Sequence, residues 1–395
     1  RFHQNLFYLV FGTPDEGIFV TTAANPAGPW TPPRPLLAEK GWDDPCVFFD
    51  DDGTPYLVTT HFSDNYKIHL FQMAPDALSL LPATDTVIHQ SRGSEANKLY
   101  KFDNRYYHFF SEVKPEGRVP MMERAAALKG PWEVHQLAHV SRKIDKEPNQ
   151  GGFINLPDDA GKWFFLTHQG TGDWEGRAMC LLPVTWTDGW PIIGAPGADQ
   201  IGNMVWQAPM PLPAVPMFPQ TDNAFSEQPI GPQWEWNYQP RADHFSLTER
   251  PGFLRLHAFQ PLRADDLLAA GNTLTQRVLR TASNTATVHL DLSGMADGQS
   301  AGLAHFAKNY TALTITQSNG ARTLSIRTPG KTVPGPALPA ADVYLQSSWN
   351  FQGAATFSYS TDGKTFTQIG EPFPLTWSYY RGDRLALFTY NNNAD

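Results

Sequence analysis

Residues 44–58 read DPCVFFDDDGTPYLV, residues 95–109 read EANKLYKFDNRYYHF, and residues 150–165 read QGGFINLPDDAGKWFF. Each is a short apolar run, a tight polar turn and an aromatic run, the pattern of two strands joined by a hairpin. A clipped fourth copy, RFHQNLFYLV, opens the chain at residues 1–10. The aromatic anchors Tyr8, Tyr56, Tyr107 and Phe164 lie 48, 51 and 57 residues apart. A period of about fifty residues with several strands per repeat is the mark of a β-propeller. Asp44 and Glu95 each stand twelve residues before the anchor of their copy, at the starts of inner strands. In a propeller such starts converge on the axis, so carboxylates from two blades are expected to face one pocket.

The pattern extends outward from these copies. AANPAGPW at 23–30 and AAALKGPW at 125–132 read as a strand followed by a Gly-Pro turn that closes a blade. Outer strands are expected at 67–73 and 177–185. At 207–220 the sequence QAPMPLPAVPMFPQ holds five prolines in fourteen residues, a stiff connector. The division expected is therefore a propeller over 1–206, a linker over 207–220 and a second all-β unit over 221–395. That unit shows alternating runs at 254–258, 286–292, 323–327, 355–360 and 385–390, separated by turns such as Thr361-Asp362-Gly363-Lys364. Alternation with turns at this spacing predicts a β-sandwich.

A formal net charge of −9 argues against nucleic acid and anionic membrane as partners. The 12 Trp, 13 Tyr and 25 Phe supply core and, in part, flat faces on which sugar rings stack. Two cysteines, Cys46 and Cys180, make no disulfide framework and are expected as buried free thiols. They leave the compartment open. No run is long and apolar enough to span a membrane. Arg1 is not a start methionine and the first repeat is incomplete, so most of a first blade is expected to be missing.

Asp44 and Glu95 are the candidates for chemistry. Glycoside hydrolysis needs an acid to protonate the leaving oxygen and a carboxylate to activate water or attack carbon. Gln150 heads the third copy; its amide can hydrogen-bond a sugar or water but cannot do acid–base work. Arg177, at the end of Gly172-Asp173-Trp174-Glu175-Gly176-Arg177, is a candidate to hold a carboxylate or a sugar hydroxyl. His168 ends an aromatic strand and is placed either toward the axis or in a loop. Trp42, two residues before Asp44, is either a platform under a sugar or core. Asp50, Asp51 and Asp52 read as a solvated turn, since they lack the spacing and closing Glu of a calcium loop. No nucleophile elbow, P-loop, zincin helix or zinc-spaced His/Cys cluster is present.

These stretches resemble glycoside hydrolase family 43, in the branch with an appended C-terminal sandwich. The likeness rests on Gly41-Trp42-Asp43-Asp44-Pro45 before Phe48-Phe49-Asp50, on Ser94-Glu95 with Leu99-Tyr100-Lys101, on Gln150-Gly151-Gly152, and on Pro183 through Pro191. In the second unit it rests on Gln233-Trp234-Glu235-Trp236-Asn237 and Asn272-Thr273-Leu274-Thr275-Gln276-Arg277. The resemblance implies an all-β chain: a five-bladed β-propeller, its first blade largely missing here, then a concanavalin A-like β-sandwich. It implies inverting hydrolysis of β-xylosides or α-L-arabinofuranosides, of xylo-oligosaccharide or arabinoside substrates. Glu95 would be the general acid, Asp44 the residue that tunes its pKa, and Arg177 a substrate or carboxylate contact. The base would be an Asp upstream of Arg1. Many members carry a central histidine that helps hold a calcium ion; Gln150 stands there, so no cofactor is required for the chemistry and a structural calcium remains an expectation. The rivals are an arabinofuranosidase on the same fold, a non-catalytic sugar-binding protein and an interaction propeller; the last two have no need of paired acids.

Overall fold

The computed structural model describes residues 1–139, 150–156, 159–169, 173–203, 221–226, 229–378 and 380–393. The connector expected at 207–220 lies outside the described residues. The chain forms two compact units, one of Arg1–Gly170 with Ala178–Leu212, the other of Thr171–Arg177 with Pro213–Asp395.

The first unit is a β-propeller whose blades are antiparallel meanders. The first described sheet is Phe2–His3 (β1), Leu6–Thr13 (β2), Gly17–Ala23 (β3) and Arg34–Leu37 (β4). The second is Trp42–Phe49 (β5), Pro55–His61 (β6), Lys67–Gln72 (β7) and Thr86–Gln90 (β8). The third is Glu95–Phe102 (β9), Arg105–Lys114 (β10), Gly117–Ala125 (β11) and Glu133–Gln136 (β12). The fourth is Gly151–Leu156 (β13), Asp159–Gln169 (β14), Ala178–Thr187 (β15) and Trp190–Ile193 (β16).

The apolar runs follow from the stacking of these sheets. Successive strand residues point to opposite faces, and an inner sheet has a neighbour on each. Val47 and Leu57 accordingly pack with Ile18 and Val20 of the first sheet, while Cys46, Phe48 and Val58 pack with Leu99, Phe110 and Met121 of the third. Phe109 and Met122 turn the other way, onto Phe153 and Phe165 of the fourth. Both faces being dry, these strands read as continuous apolar segments rather than as alternation. Hairpins set the register. Asp103 and Asn104 take φ of +50° and +56° between Phe102 and Arg105, the left-handed pair that a two-residue type I′ turn requires.

The turn 50–52 departs from the sequence reading in one residue. Asp50 is half-buried, with Oδ1 taking a hydrogen bond from Lys101 Nζ at 2.6 Å and Oδ2 one from Tyr106 OH at 2.6 Å. It ties the second blade to the third. Cys46 is buried, and Cys180 is half-buried rather than buried; both are free.

The second unit is the sandwich. A seven-stranded sheet runs in the order Trp234–Trp236, Leu274–Arg277, Arg384–Asn391, Gln299–His305, Thr311–Ser318, Ala321–Thr328, Lys331–Ala337. A four-stranded sheet runs Ser283–Asp291, Asp342–Asn350, Ala354–Ser360, Thr367–Pro374. Leu303, Leu313, Ile315 and Leu324 of the first meet Val343, Leu345 and Phe357 of the second in one core. Trp174 belongs to that core. Its carbonyl takes the Asp383 N–H at 2.7 Å, and a Cβ at Gly176 would clash with the Arg381 carbonyl oxygen. Arg280 stacks over the Trp174 ring and pairs with Asp173 and Glu175 at 2.7 and 2.9 Å.

Candidate active site

Two β-bulges build the site. On β5, Asp43 faces Thr60 and the next regular pair is Cys46 with Val58. On β9, Glu95 faces Ser111 and the next is Lys98 with Phe109. In both, two residues oppose one, and such a bulge re-aims side chains. Counting twelve residues back from Tyr56 and Tyr107 suggests that Asp44 matches Glu95. The strand register corrects this by one residue: Phe48 pairs with Tyr56 and Tyr100 with Tyr107, so Asp43 holds the place of Glu95 and Asp44 that of Ala96. The turn after β5 is longer than that after β9, and this length difference hides the offset.

Asp44 and Ala96 both sit in the left-handed region, at φ +48° and +70°. For an alanine this costs on the order of 1 kcal/mol. The contact that accompanies it is direct: Ala96 N–H donates to Asp44 Oδ2 at 2.7 Å. Asn97 Nδ2 donates to the Asp44 carbonyl at 3.1 Å and to Thr60 Oγ1 at 2.9 Å. The Asp44 N–H bonds to Asp43 Oδ1 at 2.8 Å. The two inner strands are thus stitched together at the carboxylates.

Glu95 Oε1 accepts from Gln150 Nε2 at 2.8 Å and stands 3.2 Å from Arg118 Nη1. Arg118 is held in turn by the Gly93 carbonyl at 2.6 Å and Ser111 Oγ at 3.1 Å. Burial pushes the Glu95 carboxyl up; Arg118 pulls it back, the charges of Asp44 and Asp43 push it up again, and the Gln150 hydrogen bond pulls down, with a net rise. Asp44 is also raised, by burial and then by Asp43. The Glu95 side chain is still 26% exposed, so a ligand can reach a carboxyl that holds its proton longer than an ordinary one.

Gln150 is thus brought to Glu95. Trp42 is not a sugar platform: it is 5% exposed, its ring stacks on His61 at 4.3 Å, and its Nε1 donates to Glu39 at 2.7 Å. His168 lies in β14 opposite Met179, next to Thr167, whose hydroxyl donates to the Gln150 carbonyl at 2.5 Å. Alternation puts His168 on the other face of that strand. Arg177 is part of the second unit, its guanidinium 4.7 Å from the centre of the Tyr380 ring. The guanidinium set beside Glu95 is that of Arg118, which sequence reasoning missed. It enters across a hairpin, and no motif marks it.

A calcium ion takes six to eight oxygen ligands. Gln150 presents a nitrogen donor to Glu95. Among the described residues, the group of three metal-ligand side chains lies elsewhere, at His61, Asp64 and His69. Among the described residues, no group of three acidic or histidine ligands gathers at Gln150.

Behind Asn97 a polar chain runs through the third blade. Asn97 Oδ1 meets His108 Nε2 at 3.0 Å; His108 Nδ1 meets Glu123 Oε1 at 2.7 Å; Glu123 Oε2 meets His89 Nδ1 at 2.9 Å. Burial works to lower the pKa of His89, but Glu112 and Glu123 outweigh it and raise it to about 9. Glu112 falls to about 2, chiefly through its contact with His89. A histidine raised in the folded state stabilises fully below its unfolded pKa and loses that contribution as pH rises through the folded value. Urea stability is therefore expected to drop by on the order of a few kcal/mol between about pH 6.5 and pH 9. In His89→Gln this step should be flattened; an unchanged step in the variant would assign it to another group.

A propeller bearing a desolvated carboxyl beside a second carboxylate, at the converging starts of two blades, has the parts of a glycosidase site. The sequence profile of the glycosyl hydrolases family 43 matches residues 1–191, and that of the beta xylosidase C-terminal concanavalin A-like domain matches residues 222–394. A beta-xylosidase of Formosa agariphila is 30% identical, over 100% of this chain and 74% of that protein. A non-reducing end alpha-L-arabinofuranosidase of Bacteroides ovatus is 28% identical, over 83% of this chain and 63% of that protein. A solved bifunctional GH43-CE protein of Bacteroides eggerthii superimposes with a TM-score of 0.83 at 26% identity, covering 100% of this chain and 51% of that one. The chain belongs to glycoside hydrolase family 43 and is a glycoside hydrolase.

Proposed function

We propose that this enzyme is an exo-acting, inverting glycosidase that releases xylose from β-1,4-xylo-oligosaccharides, with α-L-arabinofuranosidase activity as its second capacity. The observation that carries this is the Glu95 carboxyl, raised by burial and by two neighbouring carboxylates while still open to a ligand. Relatives named as a beta-xylosidase and as a non-reducing end alpha-L-arabinofuranosidase support the two sugars and the exo mode.

Glu95 protonates the glycosidic oxygen as the bond to the anomeric carbon breaks. An ionised Asp44 beside it favours the protonated form of Glu95. Gln150 and Arg118 fix the carboxyl that donates. A water attacks the opposite face, activated by a second carboxylate about 6.5 to 9.5 Å from Glu95. The test is release of free sugar by the full-length protein from aryl β-D-xyloside and aryl α-L-arabinofuranoside. The expected result is turnover of both, faster on the xyloside. Xylose binding without turnover of either would establish the sugar-binding protein instead.

A further inference from the structure

Strands β6 and β7 pair with His61 opposite Lys67 and Thr59 opposite His69. His61 and His69 therefore share one face, one step apart along the diagonal. The connecting turn folds back, with the Asp64 N–H on the His61 carbonyl at 3.1 Å and the Lys67 N–H on the Asp64 carbonyl at 3.1 Å. One ligand atom from each of His61, Asp64 and His69 lies within 4.8 Å of the other two.

His69 adds an independent observation. It is 8% exposed, and its Nδ1 stands 2.8 Å from Asp85 Oδ1. A carboxylate accepts, so Nδ1 carries the proton and Nε2 the lone pair. That Nε2 is buried and has no hydrogen-bond partner, a state that costs about 1–3 kcal/mol when nothing compensates. A carboxylate behind one imidazole nitrogen with the other left free is the arrangement that orients a histidine toward a metal. Trp42 walls the place: it stacks on His61 at 4.3 Å and meets His69 edge-on at 4.9 Å.

We propose that His61, Asp64 and His69 form a site for a divalent transition-metal ion of the zinc class, oriented by Asp85 from behind. Two imidazoles and one carboxylate suit zinc, cobalt or nickel, and are too rich in nitrogen for calcium or magnesium. Water fills the fourth position. Lys67 Nζ competes for the site, since it pairs with Asp64 Oδ2 at 2.8 Å. The ion is structural: it would pin the β6–β7 turn against Trp42, two residues ahead of Asp44, without touching the reacting sugar.

The test is titration of the chelator-treated full-length protein with Co²⁺, read by visible d–d absorption, and with Zn²⁺ by calorimetry. One equivalent with tetrahedral cobalt bands is expected, together with a rise in melting temperature on adding Zn²⁺. Asp85→Asn should weaken binding roughly 10- to 100-fold, and His61→Gln should abolish the cobalt bands. Lys67→Gln removes the competitor and should tighten binding, a gain that a misfolded variant does not produce. The proposal is overturned if the wild type binds neither ion, or if binding is the same in His61→Gln and in Lys67→Gln.

Discussion

Glu95→Gln is expected to lower turnover of xylo-oligosaccharides by roughly 10²- to 10⁴-fold, the usual contribution of general acid catalysis. The loss should shrink on aryl glycosides whose leaving group is acidic enough to depart without a proton. Glutamine keeps the shape of the side chain and its contacts with Gln150 and Arg118 within reach, so the fold should survive. The comparison needs kcat on a natural oligosaccharide and on a nitrophenyl xyloside, with circular dichroism as the control for folding. An equal loss on both substrates would remove Glu95 from the acid role, because a proton donor matters most where the leaving group is poorest.

Asp44→Asn is expected to move the alkaline limb of the pH–rate profile toward lower pH. Asparagine tolerates the left-handed backbone found at this position and still offers an oxygen to the Ala96 N–H. What is lost is the negative charge, which together with burial raises the Glu95 carboxyl. Glu95 works protonated, so activity falls as pH rises through its pKa. Lowering that pKa brings the fall earlier, and each unit costs about tenfold at a pH above both values. A profile of kcat/KM against pH, with protein stability measured alongside, reads this directly. If the limb stays in place while the rate drops, Asp44 acts through geometry and not through charge.

The strand–turn–strand copies were legible because both signals are local. Apolar runs long enough for a strand, and turn residues such as Asp103-Asn104 that take positive φ, lie within a dozen neighbouring positions. The strands expected at 286–292, 323–327, 355–360 and 385–390 appear as Ser283–Asp291, Ala321–Thr328, Ala354–Ser360 and Arg384–Asn391. That expected at 254–258 shrinks to Arg255–Leu256, paired among the described residues with Phe245–Ser246. Alternation alone could not show that it lacks a place in either large sheet.

The site was legible in part, for a related reason. The repeats placed Asp44, Glu95 and Gln150 at strand starts, and the structure brings these three together. Counting along the chain could not see the difference in turn length that puts Asp43 opposite Thr60 and Glu95 opposite Ser111. Nor could it find Arg118, which pairs with Glu95 and is held there by hydrogen bonds to Gly93 and Ser111.

By itself the sequence determined the all-β character, the repeat, the acids that head it and the family. Each of these resides in runs of neighbouring residues whose spacing repeats. Only the tertiary structure decided which groups meet. It buried Trp42 against His61, gave Arg177 and Trp174 to the second unit, and gathered His61, Asp64 and His69 at one turn. Such meetings depend on strand register and on the packing of one sheet against the next, which no local pattern records.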